Sequence, residues 1–329
     1  MDIVRKIFKS YPEHIVERAT GWRRGAADKI HRGLETAVIV GELTKCPVCG
    51  EDDCRLMVPF LKHGYKECTN CRHLFFTAVF EEQSLRSLYH SEPAFNYSAS
   101  MESHNRRVNA VALPKVQFIT ESVNGDNGLW VDIGCGFGDI LQCARDSGWR
   151  VLGCEPNDTE ADFAEQLGIP VKRVFVTPEN VSSIIGEATL VSLFTVLEHF
   201  AAPEALIGAI GASLASGSFL AIEVPRNPSM SLYAAMCFPD SVVRHVSPPY
   251  HLHCYSEQSM EITLGRHGFE LAGVWRFGQD FFEMLSVMAQ QREIPVNSWP
   301  EIGGILNPVQ KILDESGLSD NLLVVARKI

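Results

Sequence analysis

The stretch Leu129-Trp130-Val131-Asp132-Ile133-Gly134-Cys135-Gly136-Phe137-Gly138-Asp139 decides the fold. Its first five residues form a short apolar run, three glycines follow at alternate positions, and Ile140, Leu141 and Ala144 then recur at helical spacing. Strand, glycine turn and helix open a nucleotide-type βα unit, because a backbone without Cβ atoms lets a ligand come close. One helix further on, a second strand, Arg150-Val151-Leu152-Gly153-Cys154, ends at Glu155. That carboxylate lies 21 residues past Gly134, where an acid at the second strand tip meets ribose hydroxyls. The pattern predicts an α/β chain with a Rossmann-like sheet.

Two ligands compete for such a loop. Dinucleotide loops read G-x-G-x-x-G and seat a pyrophosphate at the helix start. This loop reads G-x-G-x-G and is flanked by Asp132 and Asp139. Acids there would repel a pyrophosphate and suit a cation bearing an ammonium and a sulfonium, which describes S-adenosylmethionine. An NAD-dependent oxidoreductase is the rival that this charge pattern disfavours. The expected cofactor contacts are Gly134 and Gly136 by backbone approach, Asp132 near the amino-acid end and Glu155 on the ribose.

Residues 126–329 resemble the class I S-adenosylmethionine-dependent methyltransferases. Val131 to Gly138 is similar to their first motif, and Leu152-Gly153-Cys154-Glu155-Pro156 to their ribose-binding strand tip. Leu190 to His199 resembles their fourth strand and the L-E-H that often follows it, and Gly217 to Pro225 their fifth strand. Asn321 to Arg327 resembles the antiparallel last strand of the family. The resemblance implies a seven-stranded methyltransferase sheet, with Phe194 and Thr195 lying along the donor. Acceptor-facing residues then follow strands four and five: His199 and Glu198 after the first, and His251, His253 and Tyr255 after the second. His251 and His253 are two residues apart, so an extended segment would point both to one face, and either is a candidate base beside His199. A two-histidine metal centre is disfavoured because no third ligand stands at a recognisable spacing. Ser256, before Glu257, reads as a helix cap. Residues 226–250 carry four prolines, with Pro225 just before them, and read as a lid, in which Arg226 and Arg244 would meet a phosphate of a nucleotide-sugar.

Ahead of this domain, Cys46-Pro47-Val48-Cys49 and Cys68-Thr69-Asn70-Cys71 form a C-x2-C-x18-C-x2-C array. The spacing is that of a closed tetrahedral zinc site that holds structure and does no chemistry. Cys54, His63 and His73 are substitutes of lower rank. Leu74-Phe75-Phe76 suits the last strand of a small ribbon. A ribbon before this domain, with His251-Leu252-His253-Cys254-Tyr255-Ser256 behind the fifth strand, resembles bacterial methyltransferases of sugar and polysaccharide pathways, some of them sugar C-methyltransferases. The acceptor implied is an oxygen or carbon of a sugar, nucleotide-sugar, glycan or related small metabolite. A non-catalytic reading makes the ribbon a docking module on a cofactor-binding scaffold.

The remaining organisation follows from composition. The chain has 329 residues, with 29 Lys+Arg against 40 Asp+Glu, and its net charge of −11 argues against a nucleic-acid partner. Residues 1–42 read as a helical arm: Ile3, Val4, Ile7, Phe8 and Tyr11 share one helical face before Pro12, and Trp22, Ala26, Ile30, Leu34 and Val38 share a second. This basic arm is suited to peripheral contact with an acidic membrane, or to packing on its own protein or on a homodimer partner. Residues 43–80 are the ribbon. Residues 81–125 are a connector and a helix, polar and irregular to 107, lying over a neighbouring site, then helical from Val108 to Val123 despite Pro114. Cys135, Cys143, Cys154, Cys237 and Cys254 are read as small core residues. Lysines and arginines interrupt any leader-like run, and glycines and serines break the apolar stretch 205–222, so the expectation is a cytoplasmic protein without a membrane span.

Overall fold

The computed structural model describes residues 2–11, 22–60, 62–91, 100–125, 127–238, 241–291, 294, 296–298 and 300–329. Strand β1 (Val4–Ile7), helix α1 (Trp22–Thr36) and strand β2 (Ile39–Glu42) come first. The ribbon region holds β3 (Cys54–Phe60), β4 (His63–Cys68), β5 (Leu74–Phe76) and β6 (Ala78–Phe80). Helices α2 (Glu82–Ser91), α3 (Met101–Arg107) and α4 (Leu113–Val123) lead to the alternating part. This runs β7 (Leu129–Ile133), α5 (Asp139–Asp146), β8 (Arg150–Cys154), α6 (Asp158–Gln166), β9 (Val171–Lys172), α7 (Val181–Ile185) and β10 (Leu190–Phe194). It continues with α8 (Pro203–Ser213), β11 (Phe219–Pro225), α9 (Met230–Cys237), β12 (His253–Cys254), α10 (Glu257–Arg266), β13 (Phe269–Phe277), α11 (Asp280–Gln290), α12 (Glu301–Glu315) and β14 (Asn321–Lys328).

The main sheet has the order β1-β13-β14-β11-β10-β7-β8-β9, parallel except for β14, which runs antiparallel to both its neighbours. The sheet has eight strands where seven are expected; β7, β8, β10, β11 and β14 are the five named from the sequence, and β1 forms an edge. Sheet strands alternate their side chains between two buried faces. Val131, Ile133, Val191 and Leu193 meet Ile184, Ile207, Ile210 and Met260 on one side. Trp130 and Leu190 meet Phe118, Ile119 and Leu141 on the other.

Residues 3–11 are not helical, which corrects the reading of the arm. Val4 to Ile7 pair in parallel with Gly273 to Arg276, so alternation with period 2 places Val4 and Lys6 inward and leaves Ile7 exposed. Lys6 sits with its ammonium 3.9 Å from the centre of the Trp275 ring, a cation–π contact that accounts for a lysine on the inner face. Pro12 lies outside the described residues, while Ala26 and Ile30 of α1 are buried as expected. Residues 82–91 and 101–107 are helices rather than irregular connector, and Tyr97 lies outside the described residues. Pro114 falls in the first turn of α4, where its missing N–H costs nothing, after a π-helical turn at Val108–Ala112.

The ribbon is not self-contained. Its sheet has the order β12-β5-β4-β3, so β5 is internal and β12, from the far end of the chain, is the outer strand. A two-stranded pair of β2 and β6 crosses the expected boundary at residue 42. Four of the five scattered cysteines are buried as expected, but Cys237 is exposed. Among the described residues, no helix is long and apolar enough to cross a membrane.

Candidate active site

The chain leaves β7 toward one side of the sheet and β10 toward the other, so a crevice opens beyond their carboxyl ends. A cavity of about 350 Å³ occupies it, walled by the glycine loop, the β8 and β10 tips, Val174–Val176, and α2 and α4 from above. Seven of the residues singled out from sequence line it: Asp132, Gly134, Gly136, Glu155, Phe194, Thr195 and His199.

The loop geometry requires glycine. Gly134 has φ of +72°, and a Cβ there would come within 2.6 Å of Val196 Cγ2. Glu155 braces the loop from the neighbouring strand tip: its carboxylate accepts the Gly136 N–H at 2.9 Å and the Asn157 N–H at 2.9 Å. Asp132 accepts from Ser192 Oγ at 2.6 Å, and Ser192 in turn accepts from Trp130 Nε1 at 2.7 Å. Neither Asp132 nor Glu155 has a salt-bridge partner among the described residues, although both are almost wholly buried. Burial, reinforced by Glu155, pushes the Asp132 carboxyl up to about 7, and burial likewise raises Glu155.

Asp139 behaves differently from the expectation that it presents a free negative charge. Arg107 donates to both its oxygens, Nε at 2.5 Å and Nη2 at 3.2 Å, and His104 Nδ1 lies 2.6 Å away. Its charge is matched by α3, and the acids at the loop without an ion-pair partner among the described residues are Asp132 and Glu155. Asp139 is also the first residue of α5, so a carboxylate occupies the helix start where a pyrophosphate would sit.

At the β10 tip Thr195 has φ of 54°, an outlier for a β-branched residue. Its N–H donates to Glu223 O at 2.9 Å, and its carbonyl lies 2.9 Å from His199 Nε2. His199 Nδ1 lies 2.5 Å from Tyr250 O. His251 packs edge-on against His199 with ring centres 4.9 Å apart, behind the cavity wall rather than in it. Burial lowers the pKa of both histidines and keeps Glu198 protonated well above the carboxylate range.

His253 and Tyr255 are not brought to the site. His253 Nδ1 lies 3.1 Å from His73 Nε2, and Tyr255 is fully buried edge-on against His73, so both face the ribbon. Strand β12 starts only at His253, so the shared direction expected of His251 and His253 does not hold. Ser256 caps α10 as expected. Arg226 donates to the carbonyls of Pro228, Gly317 and Ser319, and Arg244 pairs with Asp320. Arg226 is buried and Arg244 half-buried, both are consumed by structure, and residues 226–250 do not line the cavity. Its roof is α2, the π-helical turn and α4, with Leu85, Arg86, Val111 and Lys115. Lys115 was not singled out from sequence: its Nζ lies 2.5 Å from Glu223 Oε2, both buried, and 5.6 Å from the centre of the Phe194 ring. Only an apolar helix facing the β10 tip could have suggested it.

The four ribbon cysteines converge. Cys46 and Cys71 sulfurs are 3.6 Å apart and those of Cys49 and Cys68 are 3.4 Å apart, and all four lie within 4.8 Å of one another. Thiolates about 2.3 Å from one tetrahedral ion stand about 3.8 Å apart, so the donor set fits zinc. The two knuckles match: Gly50 N–H donates to Cys46 O and Arg72 N–H to Cys68 O, both at 3.0 Å, with positive φ at Gly50 and Arg72. Cys54, His63 and His73 stand outside the cluster.

With this geometry in view, the comparisons with known proteins define the class. The family described as Methyltransferase domain matches residues 102–273, and the chain belongs to it: it is a class I S-adenosylmethionine-dependent methyltransferase. No curated protein matches the chain. Among solved structures, it is similar to a SAM-dependent methyltransferase from Archaeoglobus fulgidus at 17% identity and a TM-score of 0.44, over 65% of this chain and 92% of that one. It is similar to a SAM-dependent methyltransferase from Mesorhizobium loti at 17% identity and a TM-score of 0.43, over 67% of this chain and 100% of that one. It is also similar to the geranyl diphosphate C-methyltransferase of Streptomyces coelicolor A3(2) at 13% identity and a TM-score of 0.42, over 73% of this chain and 86% of that one.

Proposed function

We propose that the chain transfers a methyl group from S-adenosylmethionine to an oxygen or carbon of a small acceptor of the sugar, nucleotide-sugar or glycan class. The observation that carries the cofactor half is the pair Asp132 and Glu155, two buried carboxylates at adjacent strand tips with raised pKa and no salt-bridge partner among the described residues, the nearby Lys115 being paired with Glu223. A positively charged ligand relieves both, and a pyrophosphate does the opposite. Gly134 and Gly136 let the ligand lie on the loop backbone, Glu155 offers its remaining lone pairs to ribose hydroxyls, and Asp132 faces the amino-acid end. Bound S-adenosylmethionine supplies an activated methyl group. The residues of the chain hold donor and acceptor in line at about 3–3.5 Å and keep water out.

At the acceptor end the cavity is walled by Leu85, Val111, Phe175, Val176 and Phe200, with His199 and Arg86 as polar groups. We assign His199 to the methyl-accepting group and His251 to its support. The sugar class rests on the resemblance of the ribbon and the 251–256 segment. The ribbon, residues 43–80, holds a structural zinc ion, and residues 126–329 form the catalytic domain with its roof from 81–125. Ten cysteines without a disulfide among the described residues suit a reducing cytoplasm.

The test is consumption of S-adenosylmethionine over a panel of nucleotide-sugars, glycans and small phenols, with His199→Ala beside the wild type. Turnover of a sugar-class acceptor, lost in His199→Ala while donor binding persists, supports the reading. Turnover of phenols alone rejects the sugar class, and unchanged turnover in the variant rejects the role of His199.

A further inference from the structure

We propose that Glu198, His199 and His251 form a second metal site, separate from the four cysteines, that takes a divalent first-row transition ion at the acceptor end of the cavity. Its purpose rests on the methyltransferase reading, and its existence on how the polar atoms there are satisfied. Glu198 is fully buried and no other residue hydrogen-bonds to either of its carboxylate oxygens. His251 is buried as well, and its Nδ1 has none. One ligand atom from each of the three residues lies within 4.8 Å of the other two. Buried polar atoms are nearly always satisfied, so three unsatisfied ones that converge with a third side chain mark a place built for something positive.

Two imidazoles and one carboxylate on one side of an ion are the donors that borderline transition ions take, with positions left open. Magnesium and calcium would demand more oxygens. His199 adds a second indication. In the tautomer whose Nδ1–H donates to Tyr250 O, at 2.5 Å, Nε2 faces Thr195 O at 2.9 Å with its lone pair. Two donors about 2.1 Å from one ion at a right angle stand about 3.0 Å apart, so the Thr195 carbonyl falls where a fourth ligand would. The ligands are held from behind: Leu252 N–H donates to Glu198 O at 2.8 Å and Tyr65 Oη to His251 O at 2.5 Å. Of the three, only His199 lines the cavity, so the open positions face the acceptor, and an ion there would bind and polarise an acceptor oxygen. His199 then orients the acceptor as a ligand. The third ligand missing from the sequence reading is Glu198, which adjoins His199 in the chain but reaches His251 only through the fold.

The purified chain is titrated with Co2+ after its ribbon has been saturated with Zn2+. The expected result is one further equivalent of Co2+ with weak visible bands and no near-ultraviolet thiolate charge transfer, bound at least tenfold more weakly by Glu198→Gln and His251→Gln. Circular dichroism and adenosylhomocysteine binding on the same samples report that each variant is folded, and Glu198→Asp replaces one that is not. Uptake of no second equivalent by the wild type, or equal uptake by the variants, overturns the proposal. Such a result with adenosylhomocysteine binding intact leaves the methyltransferase reading standing, whereas loss of both would reject that reading too.

Discussion

Tyr65 of the ribbon donates its hydroxyl to the backbone carbonyl of His251 at 2.5 Å, across 186 residues of sequence. The link is not isolated. Phe76 N–H donates to Leu252 O at 2.8 Å, Ser256 Oγ to Cys71 O at 2.5 Å, and β12 pairs with β5. The segment bearing His251 is thus built into the ribbon sheet.

Tyr65→Phe strands a buried carbonyl, so the chain should lose about 1–3 kcal/mol of stability. Turnover per folded molecule should fall while adenosylhomocysteine binds as before. Thermal unfolding, kcat and calorimetry read the three quantities. A variant that is only less stable, with kcat unchanged, would show that the ribbon merely supports the fold.

Asp132 gives a pH signature. Its carboxyl stands at about 7 in the folded chain against 3.8 for the ordinary side chain, so the folded state binds this proton more tightly than the unfolded one. Its contribution to stability is complete below the ordinary value and is lost as pH rises through about 7. A cationic donor favours the ionised form, so S-adenosylmethionine should bind more tightly as pH climbs through that range and should expel a proton below it. Calorimetry at about pH 6 in two buffers of different ionisation enthalpy measures the release, which Asp132→Asn should abolish. Proton uptake would contradict the assignment.

Lys115 and Glu223 form a buried ion pair that ties α4 to the β11 tip. Removing one partner leaves an uncompensated charge, and Lys115→Met should cost about 3–5 kcal/mol. Lys115→Met with Glu223→Gln should recover much of this, because no lone charge then remains. Denaturant melts of the single and double variants form the test, and additive losses would show that the pair is not coupled.

The parallel sheet and its glycine loop were legible because their signals are local: an apolar strand, glycines at fixed offsets, and an acid one βα unit later. The cysteine array was legible for the same reason. What escaped depends on partners distant in sequence. Lys6 faces inward because Trp275 receives it, so nine residues of helical periodicity conceal a strand. Helices α2 and α3 carry polar side chains because they cover a site, and those residues gave a connector's composition. Arg107 and Asp139 cancel each other only once α3 is placed. Arg226 and Arg244 looked available for a phosphate, yet the carbonyls of residues 317–319 and the Asp320 carboxylate consume them. His253 and Tyr255 stood at sensible spacing but turn to the ribbon because strand pairing begins between them and His251.

The most direct test is calorimetric titration of the chain with S-adenosylmethionine, adenosylhomocysteine and NAD. One equivalent of either adenosyl ligand should bind and NAD should give no heat. Glu155→Ala should weaken the adenosyl ligands by about 1.5–3 kcal/mol, roughly ten- to a hundredfold and more, as a charge-assisted hydrogen bond is lost. Saturation by NAD with no response to either adenosyl ligand would contradict the account.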